Sequence, residues 1–195
     1  MAPALTIPPE DIHTFADAAA WDRWLRRHHA DSDSVWLRLA KKGTDEPTVT
    51  YAEAVEVALC HGWIDGQSRG GETHWLQRFT PRRARSIWSK VNCARAESLI
   101  AQGRMQPAGL KEVERARADG RWERAYDPPG SVTVPPDLQA AFDANRPAAR
   151  FFATLDSANR YAVLWRVQTA KRADTRARRI AQLVEMLARQ EKIHP

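Results

Sequence analysis

Between Tyr126 and Pro136 the chain places Pro128, Pro129, Gly130, Pro135 and Pro136 in close succession. Each proline lacks a backbone N–H and fixes its φ, so neither a helix interior nor a central strand passes through such a stretch. The sequence is therefore expected to divide there. Residues 1–125 form a main α+β lobe, residues 126–136 a Pro/Gly-rich linker, and residues 137–195 a C-terminal helical module.

Within the first part both periodicities occur. Asp17 can cap a first helix that carries Trp21, Trp24, Leu25 and His28 along one face. Val35, Leu37 and Leu39 alternate as in a strand with one face buried, and the segment from Gly43 to Pro47 turns the chain. Thr50 and Glu53 have the spacing of a capping box ahead of the apolar set Tyr51, Ala54, Val55, Ala58 and Leu59, which predicts a helix closing at Gly62. Trp63 to Asp65 and Thr73 to Phe79 read as extended segments around Gly70-Gly71, completing a small antiparallel sheet. Pro81 ends that run. Ser86 or Ser89 is expected to cap a helix reaching Gln102, and a further helix runs from Pro107 to Gly120.

Beyond the linker only helical spacing appears, at 137–144, 147–155, 159–169 and from Asp174 onward. Ala177, Ile180, Ala181, Val184, Leu187 and Ala188 are expected to make the apolar stripe of the last helix. The fold class expected is α+β and predominantly helical: a small antiparallel sheet with packed helices, plus the helical module.

Composition matters mainly for what it excludes. A hydrophobic fraction of 43% with 28% charged residues is that of an ordinary globular chain. No apolar run approaches the roughly 20 residues that span a bilayer. Met1 to Glu10 lacks the charged-then-apolar order of a secretory leader, so a cytoplasmic protein without membrane insertion is expected. Cys60 and Cys93 stand apart, outside any C-x-x-C arrangement, and are expected to be buried thiols. No histidine pair at metal-ligand spacing, phosphate loop or dinucleotide fingerprint is present, so neither metal nor cofactor is expected.

The net charge of +6 favours an anionic partner, and its distribution decides where. The densest mixture of guanidinium, hydroxyl, indole and amide groups runs from Arg78 to Asn92, including Thr80, Arg82, Arg83, Ser86, Trp88 and Ser89. Arginine's planar fork pairs with phosphate or carboxylate, and a helix start near Ser86 or Ser89 adds free N–H groups for the same anion. Against this stands the ordinary structural reading, with the arginines on a solvated face and Trp88 in the core. A second cationic stretch contains Arg166, Lys171, Arg172, Arg176, Arg178 and Arg179, and its residues either face the first cluster or pair with carboxylates. Asp65, between Trp63 and Gly66, either orients a base or pairs with Arg78 or Arg82. Neighbouring arginines would lower its pKa, which favours the ion-paired role. A Ser/His/Asp grouping of Ser86 or Ser89 with His61 and Asp65 lacks the nucleophile-elbow motif.

Several segments together resemble the YdeI/OmpD-associated, or bacteriocin-protection, family. They are Val35-Trp36-Leu37, Tyr51-Ala52-Glu53-Ala54, Gly62-Trp63-Ile64-Asp65-Gly66, Arg78-Phe79-Thr80-Pro81-Arg82, Ser86-Ile87-Trp88-Ser89-Lys90-Val91-Asn92, Leu164-Trp165-Arg166-Val167 and Thr175 to Ile180. The resemblance covers nearly the whole chain. It implies an association with protection against toxic peptides, without a defined reaction. It also marks Asp65, Arg78, Thr80, Arg82, Ser86, Trp88, Ser89, Asn92, Lys171 and Arg176 as family motif positions. Together with Trp63 and Arg83, these are the expected ligand-binding residues. The sequence thus points first to a non-catalytic binding protein for an anionic small molecule or peptide. Nucleic-acid binding through both basic clusters and an enzyme using Asp65 with a Ser or His partner remain as alternatives.

Overall fold

A computed structural model describes residues 7–195, so six residues of the stretch read for leader character lie outside it. The fold is mixed α+β with helix predominating, and the chain forms two compact units. One comprises the residues up to Trp88 together with Asn92–Arg124; the other comprises Ser89–Val91 and Ala125–Pro195.

In the first unit, β1 (Ile12–His13), β2 (Val35–Ala40), β3 (Trp63–Arg69) and β4 (His74–Pro81) make one sheet in the order β1-β2-β4-β3. β2 and β3 both run antiparallel to β4, while β1 lies parallel to β2 and makes the sheet mixed. The two-residue β1 is too short to leave an alternating pattern and was not expected. Pro81 is the last residue of β4, opposite Trp63, where its missing N–H no longer interrupts a ladder.

The helices α1 (Ala18–His28) and α2 (Tyr51–Cys60) begin as their caps require. Asp17 accepts from the Ala20 N–H at 2.7 Å. The Thr50–Glu53 box is closed in both directions, with the Thr50 N–H donating to Glu53 at 2.9 Å and the Glu53 N–H to Thr50 Oγ1 at 3.3 Å. Trp21 and Leu25 are buried, but His28 is exposed with its ring 4.8 Å from that of Trp24, so the expected core face of α1 ends one turn earlier. Around Trp21 gather Trp24 at 5.4 Å, Phe79 at 5.7 Å and Trp63 at 6.5 Å between ring centroids, an aromatic core between α1 and the sheet. Trp36, expected on the open face of β2, is also buried.

After α2 the chain reverses at Gly62, whose φ of +75° is one that side-chain-bearing residues rarely adopt. Then follow α3 (Lys90–Ala101) and α4 (Pro107–Ala118). α4 crosses α2 at Gly109, where an added Cβ would fall 2.7 Å from the Leu59 carbonyl oxygen and nearer still to that of Cys60. α3 opens at Lys90, so of the two expected cap positions Ser89 directly precedes the helix and Ser86 does not. The Ser86 hydroxyl is instead engaged by the Arg83 N–H at 3.1 Å, a local turn that competes with helix initiation.

The second unit is built from α5 (Pro136–Ala144), α6 (Arg146–Thr154), α7 (Ser157–Gln168) and α8 (Ala173–Ala188). Leu138, Phe142, Phe152, Val163, Val167 and Leu187 lie at the centre of its own core. Asn145 and Asp156 cap α6 and α7 through the Ala148 and Asn159 N–H groups. On α8 the buried stripe is Ile180, Leu183, Val184 and Leu187; Ala177 and Ala181, expected in it, are exposed. The larger Leu183 falls at i+3 from Ile180 and fills the seam that a methyl group at 181 would leave empty. Among the described residues, no helix is long and apolar enough to cross a membrane.

Candidate anion site

The pleat of the sheet separates residues that are close in sequence. Side chains of directly opposed residues share a face, and successive residues alternate. Asp65 opposes Phe79 and Trp63 opposes Pro81, so both belong to the face packed against α1 and α2. Arg78 and Thr80, opposed to Trp36 and Ile64, belong to the other. The structure therefore does not bring Asp65 to Arg78. Its carboxylate accepts instead from the Tyr51 hydroxyl at 2.8 Å. Trp63 is buried and donates its indole N–H to the His29 carbonyl at 3.2 Å. His61 is likewise occupied, at 2.8 Å from Asp22, so the Ser/His/Asp grouping does not assemble around Asp65.

What does converge is the segment after β4. The Arg82 N–H donates to the Gly62 carbonyl at 2.9 Å, which pins the chain to the turn that ends α2. The Arg82 guanidinium is buried, lies 3.5 Å from the centroid of the Trp88 ring, and donates through Nη1 to the Ile87 carbonyl at 3.3 Å. Arg121 reaches the same segment from beyond α4. Its Nη1 donates to the Ser86 carbonyl at 2.8 Å, while its Nε is held by Asp119 at 2.7 Å. Trp122 packs on Trp88 with ring centroids 4.9 Å apart. Two buried arginines thus fix successive carbonyls of one loop, and Trp88 contacts both Arg82 and a second indole.

Not every donor in this cluster is used. The Trp88 side chain is 1% exposed and Arg121 5% exposed, yet Trp88 Nε1 and Arg121 Nη2 have no hydrogen-bond partner among the described residues. The Arg78 Nε is in the same condition. A buried donor left unsatisfied costs about 1–3 kcal/mol, so such groups are normally matched by an acceptor. Cys93 lies within the field of Arg82, but burial outweighs that cation and pushes its thiol up to about 11. Arg83 and Arg85 are exposed on the same loop. The arrangement presents fixed cationic and neutral N–H donors against aromatic faces, which is the chemistry of anion recognition rather than of proton transfer.

Of the other expected residues, Asn92 accepts from Arg95 at 3.4 Å, and Ser89 forms a bridge with Tyr126 within the second unit. Lys171 is exposed. Arg176 is bound to Asp137 at 2.5 and 2.9 Å and donates to the Val167 carbonyl at 2.8 Å. Arg172 pairs with Asp174 at 3.1 Å. These two arginines follow the carboxylate-paired alternative. Arg121 was not among the expected residues, although it stands next to Trp122 after the helix-ending Gly120 and repeats the Arg/Trp mixture of residues 78–92. Among the described residues, no group of three or more His, Cys, Asp or Glu side chains is placed to hold a metal ion.

The fold and this cluster define a two-unit α+β protein with a buried arginine–tryptophan site. The chain belongs to the family described as "Domain of unknown function (DUF8412)", whose model matches residues 13–112. A second model, "Bacteriocin-protection, YdeI or OmpD-Associated", matches residues 131–190. The resemblance read over nearly the whole chain is thus found in the C-terminal stretch, while the strand and loop motifs from Val35 to Asn92 fall to the other family. No curated protein and no solved structure matches the chain.

Proposed function

We propose that this chain is a non-catalytic, cytoplasmic binding protein of bacterial stress or bacteriocin protection. Its first unit takes a compact anionic group, phosphate or carboxylate, at Arg82, Arg121, Ser86 and Trp88, with Arg78, Thr80 and Arg83 contributing around it. The observation that carries this reading is the pair of deeply buried unspent donors, Trp88 Nε1 and Arg121 Nη2, on residues that pack against or bond to the loop of the Arg82 guanidinium. The protective role rests on the match of residues 131–190 to the bacteriocin-protection model. Two unpaired thiols suit a reducing compartment. In the proposed division, residues 1–125 carry the anion site, 126–136 link, and 137–195 form the module.

Calorimetric titration with inorganic phosphate, sulfate and citrate tests the site, comparing the parent with Trp88→Phe. That substitution keeps an aromatic ring for Arg82 to lie on and removes the N–H together with part of the indole, so the fold of the variant is checked by circular dichroism. Losing one hydrogen bond to a charged ligand is expected to weaken binding about tenfold or more. Saturable binding of any probe that weakens in the folded variant supports the proposal; no binding at millimolar concentration, or unchanged affinity in the variant, defeats it.

A further inference from the structure

The second unit carries a different site, independent of the arginine loop. Trp165 on α7 is 37% exposed, one of the few large apolar side chains so placed. A cleft of about 580 Å³ opens beside it, lined by Arg166, Arg179, Gln182, Met186 and Lys192. On the other side of Trp165 and Arg166 lies a smaller recess of about 410 Å³, bounded by Tyr161, Ala162 and His194. Both volumes fall within the range of small-molecule sites, about 300–1,000 Å³.

The walls are fixed before any ligand arrives. Asn159, itself buried, accepts from the Ile193 and His194 N–H groups at 3.1 and 2.9 Å and is held in turn by Asp156, so the segment carrying Lys192 is anchored to the start of α7. Arg179 is positioned by donating to the Arg166 carbonyl at 2.8 Å, at the carbonyl-rich end of α7. The rings of Trp165 and Tyr126 stand nearly perpendicular with centroids 6.3 Å apart, which orients the indole.

Charge in the cleft is one-signed. Three of its lining residues are cations and none is a carboxylate. Among the described residues neither Arg166 nor Lys192 forms a salt bridge; Lys192 only adds to the hydrogen bonds from Asn159 that hold Asp156 below the usual carboxylate range. An exposed indole beside unspent cations matches a ligand that joins a flat ring to an anionic group. The Gln182 amide supplies a donor and an acceptor for a polar ring edge.

We infer that the helical unit binds a nucleotide at this cleft, the base stacked on Trp165 and the phosphate held by Arg166, Arg179 and Lys192. The nucleotide is either free or part of a single strand. Calorimetry on the full chain with AMP, adenosine, inorganic phosphate and a single-stranded octanucleotide tests it. AMP is expected to bind more tightly than either of its halves. Trp165→Ala and Arg166→Glu, with helical content checked by circular dichroism, are each expected to lower that affinity about tenfold or more, given the strength of base–indole stacking and of the lost charge pairing. An octanucleotide that outcompetes AMP identifies the strand as the source, and equal affinity identifies the free nucleotide. Absence of saturation by both, AMP affinity unaltered in the Trp165 and Arg166 variants, or phosphate that displaces AMP from the Trp165 cleft as effectively as AMP itself would overturn the inference.

Discussion

Burial and hydrogen bonding pull the imidazole of His61 in opposite directions. Burial is the larger effect and holds its pKa below 6.5, against the raising influence of the Asp22 carboxylate 2.8 Å away; His29 and Arg26 add to the lowering. His61 is therefore neutral near pH 7 and donates its Nε2–H to Asp22. For Asp22 itself desolvation acts upward, but the hydrogen bonds from His61 and Arg26 together outweigh it and hold the carboxyl below 3.8. Both shifts mean that the unfolded chain binds protons more readily than the folded one. Stability from His61 is complete above pH 6.5 and is lost as the pH falls toward its lower folded value; that from Asp22 is lost below 3.8. The melting temperature should decline between pH 6.5 and 5, and His61→Gln should flatten that decline. A parent whose melting temperature is level over this range would contradict the assignment.

At the scale of elements, sequence signals were reliable where one local device sets a boundary. The Thr50–Glu53 box starts α2, Asp17 starts α1, and Gly62, Gly103 and Gly120 stand just beyond helix ends with φ between +67° and +75°. Thr50→Ala is expected to cost about 1 kcal/mol in a urea melt, the usual worth of a side-chain cap. Nothing local marks the crossing of α2 and α4, because Gly109 sits mid-helix and its role appears only when the two backbones meet. Gly109→Ala is expected to cost about 1–3 kcal/mol through overpacking, although alanine is the better helix former. Stabilisation instead of loss would show that the crossing can open freely. The same limit explains the site. Arg82 and Trp88 were legible as a dense polar run, but Arg121 joins them through a contact 35 residues distant in sequence, and the separation of Asp65 from Arg78 depends on strand register.

For the whole molecule, a net charge of +6 overstates the cationic surface offered to a partner. Arg176 is tied to Asp137 and to the end of α7, and Arg38 to Glu46. Binding of anions should accordingly depend on a few positioned groups rather than on total charge. Each unit also has its own apolar centre. Leu187→Ala removes a fully buried side chain from the helical unit and is expected to cost about 2–5 kcal/mol there, read as faster hydrogen exchange over α5 to α8. Unchanged protection across those helices would remove Leu187 from the core assigned to it.

The two cysteines give the first unit a built-in clock. Cys60 and Cys93 both lie in it, both are free and buried, and burial pushes each thiol up to about 11, so neither is reactive in the closed fold. The helical unit has no sulfhydryl group to compete. The rate at which a thiol reagent modifies the chain therefore counts the openings of the sheet-containing unit alone. An anion seated between Arg82, Arg121 and Trp88 should lengthen the interval between them.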